Sequence, residues 1–292
     1  MISSYKKSLD AAEIVGQKFF LNVSSRFAGQ QGGSRFGQNT GNSLEFVDHR
    51  EYQPGDDVRH IDWNAMARSD RLTVKLYREE VAPHLDIMID ASRSMNLRDT
   101  TKCEALFSLV ALLRVVAVNA GYTVTAWLIK DRCRPVEPSA VPITEWRDAD
   151  CDYSGNIGET LVRFPAVLRP SGVRILVSDL FWSHEPQAVL RSLSDNAAML
   201  VIMQLLSERD LKPELAGNLR LVDAETREML EIVADADILR DYQSNMTRHR
   251  DYWKKCSTRS GALFCSCVAE SFLRDFIPVD LLKNEILMAR SR

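Results

Sequence analysis

Hydrophobic and polar positions change their spacing along this chain, and each spacing predicts a different element. Residues 72–77 alternate apolar and polar side chains, which is typical of a half-buried strand. Residues 85–89 form a nearly continuous apolar run that ends at Asp90, and such a run predicts a strand buried on both faces. Residues 101–121 then place apolar side chains at helical spacing, and Thr101 with Glu104 predicts a capping box at the start of this helix.

The same two spacings alternate through the middle of the chain. Apolar runs predict strands at residues 123–129, 173–177 and 198–205. Helical spacing predicts helices at residues 160–168 and 186–193 between them. Alternation of buried strands with helices indicates a parallel sheet. We therefore predict an α/β fold, namely a doubly wound, mostly parallel sheet of Rossmann type.

Residues 1–80 differ in character from this alternating part. Helical spacing up to about residue 26 precedes a stretch rich in Gly, Gln, Ser and Asn over residues 28–43, which predicts a loop. This stretch has no lysine where a phosphate-binding loop requires one. A charged segment rich in β and turn residues follows. We predict two parts, a 1–80 extension of helix, loop and β/turn structure and an α/β domain over residues 81–292.

The last part of the chain is less regular. Residues 219–223 and 229–233 predict a hairpin, and an amphipathic helix follows it. Residues 262–267 predict the final strand and residues 279–288 the final helix.

Composition narrows the class of protein without indicating a function. Hydrophobic residues at 45% and charged residues at 26% are typical of a soluble globular protein. The formal net charge of -3 gives no basic surplus, so we expect no nucleic-acid partner. The six cysteines form no CxxC pair, which favours reduced thiols over a zinc site. Because no signal-peptide core and no membrane-length apolar stretch occurs, we predict a cytoplasmic protein without direct membrane insertion.

Candidate chemistry is concentrated where two predicted buried strands end. Asp90, Ser92 and Ser94 follow the first strand and gather a carboxylate and two hydroxyls in one turn. Such hard oxygens suit Mg²⁺ or Mn²⁺. Asp179 follows the strand at residues 173–177, and ligands of a doubly wound sheet bind in the crevice where the winding direction reverses. We therefore expect Asp90 and Asp179 on either side of this crevice.

This pattern resembles the metal-ion-dependent adhesion site of von Willebrand factor A domains, whose motif is Asp-x-Ser-x-Ser with a distant Thr and a distant Asp. By position, Asp90, Ser92 and Ser94 match the first part of the motif, and Asp179 matches the distant Asp. The resemblance implies a von Willebrand factor A-like fold with Mg²⁺ or Mn²⁺ as its cofactor.

The distant Thr of the motif is matched by Thr160. It lies in Gly158-Glu159-Thr160, where a glutamate replaces the second glycine of the expected turn. Ser154 is the alternative. The resemblance therefore implies Thr160 as a further metal ligand.

A second resemblance lies ahead of this site. Residues 50–63 read Arg-Glu-Tyr-Gln-Pro-Gly-Asp-Asp-Val-Arg-His-Ile-Asp-Trp. They are similar to a family of uncharacterised bacterial von Willebrand factor A-like proteins often encoded beside MoxR-type AAA+ ATPases, and the resemblance runs from about residue 44 onward. It implies a partnership with such an ATPase in the assembly or remodelling of protein complexes.

The charged residues of this segment have a simpler interpretation than catalysis. We interpret them as a compact turn region held by charge-assisted hydrogen bonds, with Ile61 and Trp63 packed on the sheet. They are Asp56, Asp57, Arg59, His60 and Asp62.

Three functions are compatible with these residues, and a binding module rather than an enzyme is the one we expect. Its metal would keep one coordination position open for an acidic residue of a partner protein. The first alternative is a metal-dependent phosphoesterase that uses Asp90 and Asp179 with His184 or His60, although no motif supplies a nucleophile or base. The second is a metal-free scaffold in which Ser92 and Ser94 only cap a helix.

Overall fold

The computed structural model describes residues 2–23, 44–54, 56–69, 71–79, 83–136, 141–163 and 168–290. The chain divides into two units, one formed by Met1–Ser25 with Pro83–Arg292 and the other by Arg26–Ala82. The boundary between Ala82 and Pro83 lies two residues from the predicted boundary between residues 80 and 81. The first helix, however, belongs to the α/β unit and not to the extension. The glycine-rich stretch at residues 28–43 lies outside the described residues.

The secondary structure of the described residues is numbered in chain order. The strands β1 to β12 are Phe19–Leu21, Leu44–Glu51, Thr73–Glu79, His84–Asp90, Thr123–Ile129, Cys133–Pro135, Val173–Ser178, Met199–Leu206, Gly217–Val222, Met229–Ala234, Leu263–Val268 and Leu287–Ala289. The helices α1 to α9 are Lys6–Gly16, Trp63–Ser69, Lys102–Asn119, Ile157–Val162, Pro186–Ser194, Glu208–Leu211, Ala236–Arg259, Ala269–Asp275 and Val279–Lys283. Short 3₁₀ helices span Ile2–Tyr5, Val58–His60, Arg93–Asn96 and Ile143–Glu145.

A six-stranded sheet in the order β11-β8-β7-β4-β5-β6 forms the centre of the larger unit. All of its neighbouring strands are parallel except β6, which pairs antiparallel with β5 at one edge. Every residue of β4, β7 and β8 is buried, which explains why their sequences are nearly continuous apolar runs. The predicted α/β fold with a mostly parallel sheet is confirmed.

Helix α3 packs against α1, and this contact places the first helix in the larger unit. Leu9 and Ala12 of α1 are 2% and 0% exposed. The predicted capping box at the start of α3 is wrong, because both of its side chains have partners elsewhere. Thr101 Oγ1 donates to Glu270 Oε1 over 3.1 Å, and Glu104 accepts a hydrogen bond from Ser8.

Two predicted helices have different bounds in the structure. The helix predicted at residues 160–168 begins earlier, because Asn156 accepts a hydrogen bond from the backbone N–H of Glu159 and starts α4 at Ile157. The final helix predicted at residues 279–288 is only the five-residue α9. Its sequence continues into β12, whose Leu287 is 1% exposed and pairs with Leu21 of β1. A strand edge available for pairing thus overrides the helical spacing there.

The hairpin predicted ahead of the long helix is confirmed as β9 and β10. Met229 lies opposite Val222 and Ala234 lies opposite Gly217. Helix α7 then begins after Asp235, whose side chain accepts hydrogen bonds from the backbone N–H groups of Asp237 and Ile238.

The smaller unit contains β2 and β3, an antiparallel pair, and the charged turn segment between them. Its carboxylates are held by nearby cationic or imidazole groups, as predicted. The pairs are Arg50 with Asp56 at 2.8 Å, Arg59 with Asp57 at 2.6 Å and His49 with Asp62 at 2.7 Å.

Of the two apolar residues expected to pack beside this segment, only one is buried. Ile61 is 8% exposed and forms a β-bridge with Val74. The prediction for Trp63 is wrong, because its side chain is 62% exposed at the first position of α2. The preceding residue, Asp62, is buried instead. Its carboxylate caps α2 by accepting hydrogen bonds from the backbone N–H groups of Asn64 and Ala65.

None of the helices in the described ranges combines the length and the apolar character that crossing a bilayer requires.

Asp62 gives the smaller unit a pH-dependent stability. The hydrogen bond from His49, the backbone N–H of Ala65 and the Lys75 ammonium lower the pKa of Asp62 to about 2. A carboxyl whose pKa lies below its unfolded value of about 3.9 stabilises the fold above that value and loses this effect as the pH falls toward 2. We expect Asp62→Asn to lower the melting temperature at pH 7, with a difference from wild type that shrinks between pH 4 and pH 2.

Thermal unfolding followed by circular dichroism at several pH values measures this effect. Glu51→Gln is the matched control, because the side chain of Glu51 is 77% exposed and lies 3.8 Å from Arg71. A difference between Asp62→Asn and wild type that stays constant from pH 7 to pH 2 would contradict the prediction.

Candidate functional site

The candidate site lies where β4 and β7 end, and the two strands are neighbours in the sheet. Asp90 is the last residue of β4, and Asp179 directly follows β7. Both are fully buried. Because the strands are parallel, their carboxyl ends meet at one edge, so the structure brings the two predicted carboxylates together in the way the topology requires.

Hydrogen bonds from residues of both strand ends hold the Asp90 carboxylate in place. Its Oδ1 accepts from the backbone N–H of Ser92 at 2.8 Å. Its Oδ2 accepts from Ser178 Oγ at 2.5 Å and from Trp182 Nε1 at 3.2 Å. Burial and, to a lesser extent, the charge of Asp179 raise the pKa of Asp90, while hydrogen bonds from Ser178 and Ser92 lower it, and the net result is a pKa of about 6. A positive charge placed here would therefore be strongly favoured.

The two serines converge on the same turn. Ser92 Oγ lies 3.0 Å from Ser94 Oγ. The two residues are 0% and 8% exposed. The turn is fixed from outside by Tyr153, whose backbone O accepts from Arg93 N at 2.9 Å and whose N–H donates to Ala91 O at 3.1 Å. Asp90, Ser92 and Ser94 thus form a rigid group of oxygen atoms.

A buried lysine that the sequence analysis missed balances part of the negative charge at this site. Lys102 at the start of α3 is 0% exposed, and its Nζ lies 3.0 Å from Asp179 Oδ2 and 3.2 Å from Asp210 Oδ2. Burial lowers the pKa of Lys102, but the charges of Asp179 and Asp210 more than offset this and raise it. Asp179 therefore has a resident cation. The ring of Phe181 lies 5.5 Å from the ammonium as well.

Thr160 is not brought into this group by any contact that the described residues show. Its Oγ1 donates to the backbone O of Lys130 at 2.9 Å, so its role as a metal ligand stays a prediction. Gly158 ahead of it is required by close packing, since a Cβ there would lie 2.4 Å from His184 Cβ and 2.6 Å from Trp182 Cε3.

Glu225, at the turn of the β9–β10 hairpin, is a second residue that the sequence analysis missed. Burial and the charges of Asp179 and Asp90 raise the pKa of Glu225, a hydrogen bond with the Ser94 side chain acts in the opposite direction, and the net result is a pKa of about 7. The sequence contains no local signal for this contact, because the hairpin lies more than a hundred residues beyond the motif.

The oxygen atoms of this site fit a hard divalent cation in chemistry. Across the described ranges, no three His, Cys, Asp or Glu side chains gather as a metal-binding group. The close oxygens are instead one carboxylate, from Asp90, and the hydroxyls of Ser92 and Ser94. Mg²⁺ is commonly bound by one or two carboxylates while it keeps several waters, so this set fits it. The carboxylate of Asp179 is paired with Lys102 and contributes mainly charge.

Fold and site together define an α/β protein with a mostly parallel six-stranded sheet and a cluster of buried carboxylates and hydroxyls at the strand ends. The family described as "Protein of unknown function DUF58" matches residues 48–252, which is more than half of the chain. The chain belongs to this family.

Similar proteins include the uncharacterized protein Mb1516 of Mycobacterium bovis and the uncharacterized protein Rv1480 of Mycobacterium tuberculosis. Each is 24% identical over 243 residues, which cover 79% of this chain and 76% of the relative.

Two solved structures from Bacteroides are also similar. One is the conserved hypothetical protein BatB from Bacteroides thetaiotaomicron, and the other is an aerotolerance-related membrane protein from Bacteroides fragilis. Both have a TM-score of 0.38 and 10% identity and cover 69% of this chain, and the match covers 98% and 99% of their own lengths.

Removing the buried ammonium of Lys102 should destabilise the protein strongly. Lys102→Met leaves Asp179 and Asp210 buried without their cation, and loss of one partner of a buried pair costs about 3–5 kcal/mol. Urea unfolding in EDTA measures this loss.

Arg220→Met is the control for that experiment, because the side chains of Arg220 and its partner Glu231 are 64% and 74% exposed, and an exposed pair contributes about 0–1 kcal/mol. A Lys102→Met protein within about 1 kcal/mol of wild type would show that the ammonium does not balance these carboxylates.

Proposed function

We propose that this protein is a metal-dependent protein-binding module that acts in the cytoplasm with a MoxR-type AAA+ ATPase, in the assembly or remodelling of protein complexes. The observation that carries the proposal is the group of Asp90, Ser92 and Ser94 oxygens, buried and held rigid at the end of a central strand. This group also supports a von Willebrand factor A-like site as the origin of the binding.

The site residues have distinct roles in this proposal. Asp90, Ser92 and Ser94 would hold Mg²⁺ or Mn²⁺, and Ser178 and Trp182 would keep the Asp90 carboxylate oriented. When bound, the ion offers a coordination position to an acidic side chain of a partner and neutralises the charge that would repel it. Asp179 adds negative charge that favours the cation, while Lys102 limits the cost of burying it.

An apolar surface near the site favours a protein as the partner. The β9–β10 hairpin exposes large hydrophobic side chains, among them Met229 at 67%, Val233 at 62% and Val222 at 50%. The register places these three on one side of the hairpin, since Met229 lies opposite Val222 and Val233 is four residues along from Met229. Exposed apolar patches of this kind are typical of protein interaction sites.

The choice of an AAA+ ATPase as partner rests on the resemblance of residues 50–63 and the chain beyond them to proteins often encoded beside such ATPases. The charged turn in this segment is ordered by its own ion pairs, such as Arg50 with Asp56 and His49 with Asp62. These pairs support a structural role for the segment within the smaller unit.

A metal-free scaffold is the second candidate, and the position of Lys102 favours it. The ammonium already supplies a positive charge to Asp179 at 3.0 Å, and the Ser92 and Ser94 hydroxyls can satisfy each other at 3.0 Å. In this case the site would serve only to fix the turn after β4.

Calorimetric titration with Mg²⁺ and Mn²⁺ separates these two candidates. We expect the wild type to bind the ion and Asp90→Asn to bind at least about tenfold more weakly, a loss of about 1.4 kcal/mol, because a direct carboxylate ligand is removed. Asp99→Asn is the control, because the Asp99 side chain is 84% exposed and its ion pair with Arg209 is long, at 3.7 Å. Wild-type protein that binds neither ion would support the scaffold.

Partner binding should depend on the same carboxylate. We expect a MoxR-type ATPase encoded beside the gene to be retained by immobilised wild-type protein in Mg²⁺, and to be released by EDTA or by Asp90→Asn. Asp99→Asn should retain it. If Asp90→Asn retains the ATPase equally with and without EDTA, the two proteins interact but the metal-dependent mechanism is contradicted.

A further inference from the structure

The β5–β6 hairpin at the edge of the central sheet brings several cationic side chains together. Leu128 of β5 lies opposite Arg134 of β6, and directly opposite residues of an antiparallel pair share one face of the sheet. Lys130 and Arg132 flank the turn of this hairpin, where Lys130 N donates to Arg132 O at 3.2 Å. Ile129, which points to the other face, belongs to the hydrophobic core. The hairpin thus separates an apolar face from a cationic one.

A cavity of about 490 Å³ lies on the cationic face. Its volume is within the range of about 300–1,000 Å³ that is typical of ligand pockets. Four of the described side chains that line it are cationic and one is anionic, a formal net charge of +3. They are Lys130, Arg132, Arg134, Arg147 and Asp148. A chain whose formal net charge is -3 therefore has a strongly positive cavity at one edge of its sheet.

The carboxylate beside this hairpin leaves most of the arginine charge available. Asp131 lies 3.7 Å from Arg132 and 3.5 Å from Arg134, and the three side chains are all at least 55% exposed. Exposed ion pairs of this length are weak. Each guanidinium has five N–H donors and can bind a carboxylate through two parallel hydrogen bonds. Lys130 is different, because its Nζ lies 2.6 Å from Asp152 Oδ1.

The loop that carries Arg147 is fixed between two buried side chains. Trp146 and Ala149 are 7% and 3% exposed, whereas Arg147 and Asp148 between them are exposed. Arg114 also lies over the Trp146 ring, 5.2 Å from its centroid. Asp148 has a φ of 53°, a left-handed conformation that is uncommon outside glycine and is frequent at ligand-binding sites. The fold therefore holds Arg147 at a defined position on the cavity wall.

This cavity is connected to the group of Asp90 and the two serines through one short segment of chain. Ile129 lies opposite Asp90 in the pairing of β5 with β4, and Lys130 follows Ile129. Asp152, the ion-pair partner of Lys130, accepts a hydrogen bond at its backbone O from Arg93 Nε at 3.0 Å. Arg93 lies between the two serines in the sequence. The cavity and the serine turn therefore lie at the same end of β4 and β5.

We propose that this cavity binds an acidic segment of a partner protein, whose carboxylates are held by Arg132, Arg134 and Arg147. The inference rests on the proposed function and deepens it, because the acidic side chain that reaches the metal would belong to a segment with several carboxylates. Charge complementarity of this kind gives specificity and speeds association.

A peptide fits the cavity better than a nucleic acid does. Leu128 and Pro135 line it beside the cations, and such apolar side chains can pack against those of a peptide. Among the described residues of its wall there is no aromatic ring on which a base could stack. The Asp148 carboxylate would also repel a continuous chain of phosphates.

Fluorescence anisotropy of a fluorescein-labelled hexaglutamate peptide in EDTA tests the cavity without any contribution from a metal. We expect the wild type to bind the peptide, with an affinity that falls as salt is added because exposed charges are screened. Arg132→Gln/Arg134→Gln should bind it about tenfold or more weakly, since two charge-assisted contacts are lost. A hexaglutamine peptide should not bind.

Arg71→Gln/Arg240→Gln is the matched control. It removes the same charge from side chains that are 74% and 76% exposed and that also have a carboxylate partner. It should bind hexaglutamate as the wild type does. Circular dichroism of both double variants checks that the fold is retained.

The outcomes separate the cavity from the proposed metal site. Absence of hexaglutamate binding by the wild type in EDTA, or equal weakening in the two double variants, would overturn the cavity proposal whatever the Mg²⁺ titration shows. Binding that is lost only in Arg132→Gln/Arg134→Gln would support it, even for a wild type that binds no Mg²⁺. An oligothymidylate that binds this cavity more tightly than hexaglutamate would assign it to nucleic-acid phosphates and overturn the proposal.

Discussion

Buried negative charge at the carboxyl ends of β4 and β7 is the constraint around which this end of the molecule is built. Asp90 and Asp179 are both removed from water, and an ionised carboxylate in such a place costs several kcal/mol unless donors or a cation compensate. The ammonium of Lys102, at the start of α3, compensates the charge of Asp179. Ser178 and Trp182 compensate that of Asp90 by donating hydrogen bonds to its carboxylate. The local fold follows from the need to keep these groups in place.

The same groups connect the site to the rest of the larger unit. Trp182, which donates to Asp90, packs edge-on against Trp253 of α7 with ring centroids 5.2 Å apart. Trp253 is 1% exposed in the core, and α7 begins shortly after the hairpin that carries Glu225. The hairpin is thus anchored through its following helix at one end and through its turn at the other. Residues that shape the site also hold the surface beside it.

Much of the fold could be predicted from the sequence because the buried strands have a strong and local signal. Asp90 is the last residue of β4 and Asp179 directly follows β7, and the parallel topology alone brings the two aspartates to one edge. Lys102 could not be predicted in the same way, since a lysine at a helix start is usually solvated. Its burial depends on Asp179 and Asp210, which follow it by many residues. The contact of Glu225 with Ser94 is likewise a product of tertiary structure.

Two of the predictions that failed have the same physical cause. The capping box of Thr101 and Glu104 is a local pattern, but Glu270 and Ser8 compete for the two side chains and win. The apolar residues after α9 have helical spacing, but pairing with β1 makes them a strand. In each case a partner distant in sequence decides between two locally acceptable structures.

The pairing of β1 with β12 has a consequence for biosynthesis. A ribosome releases β1 before every other described strand, whereas β12 emerges only after all of them have been made. During that interval β1 lacks its pairing strand β12. An unpaired strand edge in a nascent chain promotes association with other chains. Both strands have only three residues, which limits the edge exposed while the polypeptide is still being synthesised.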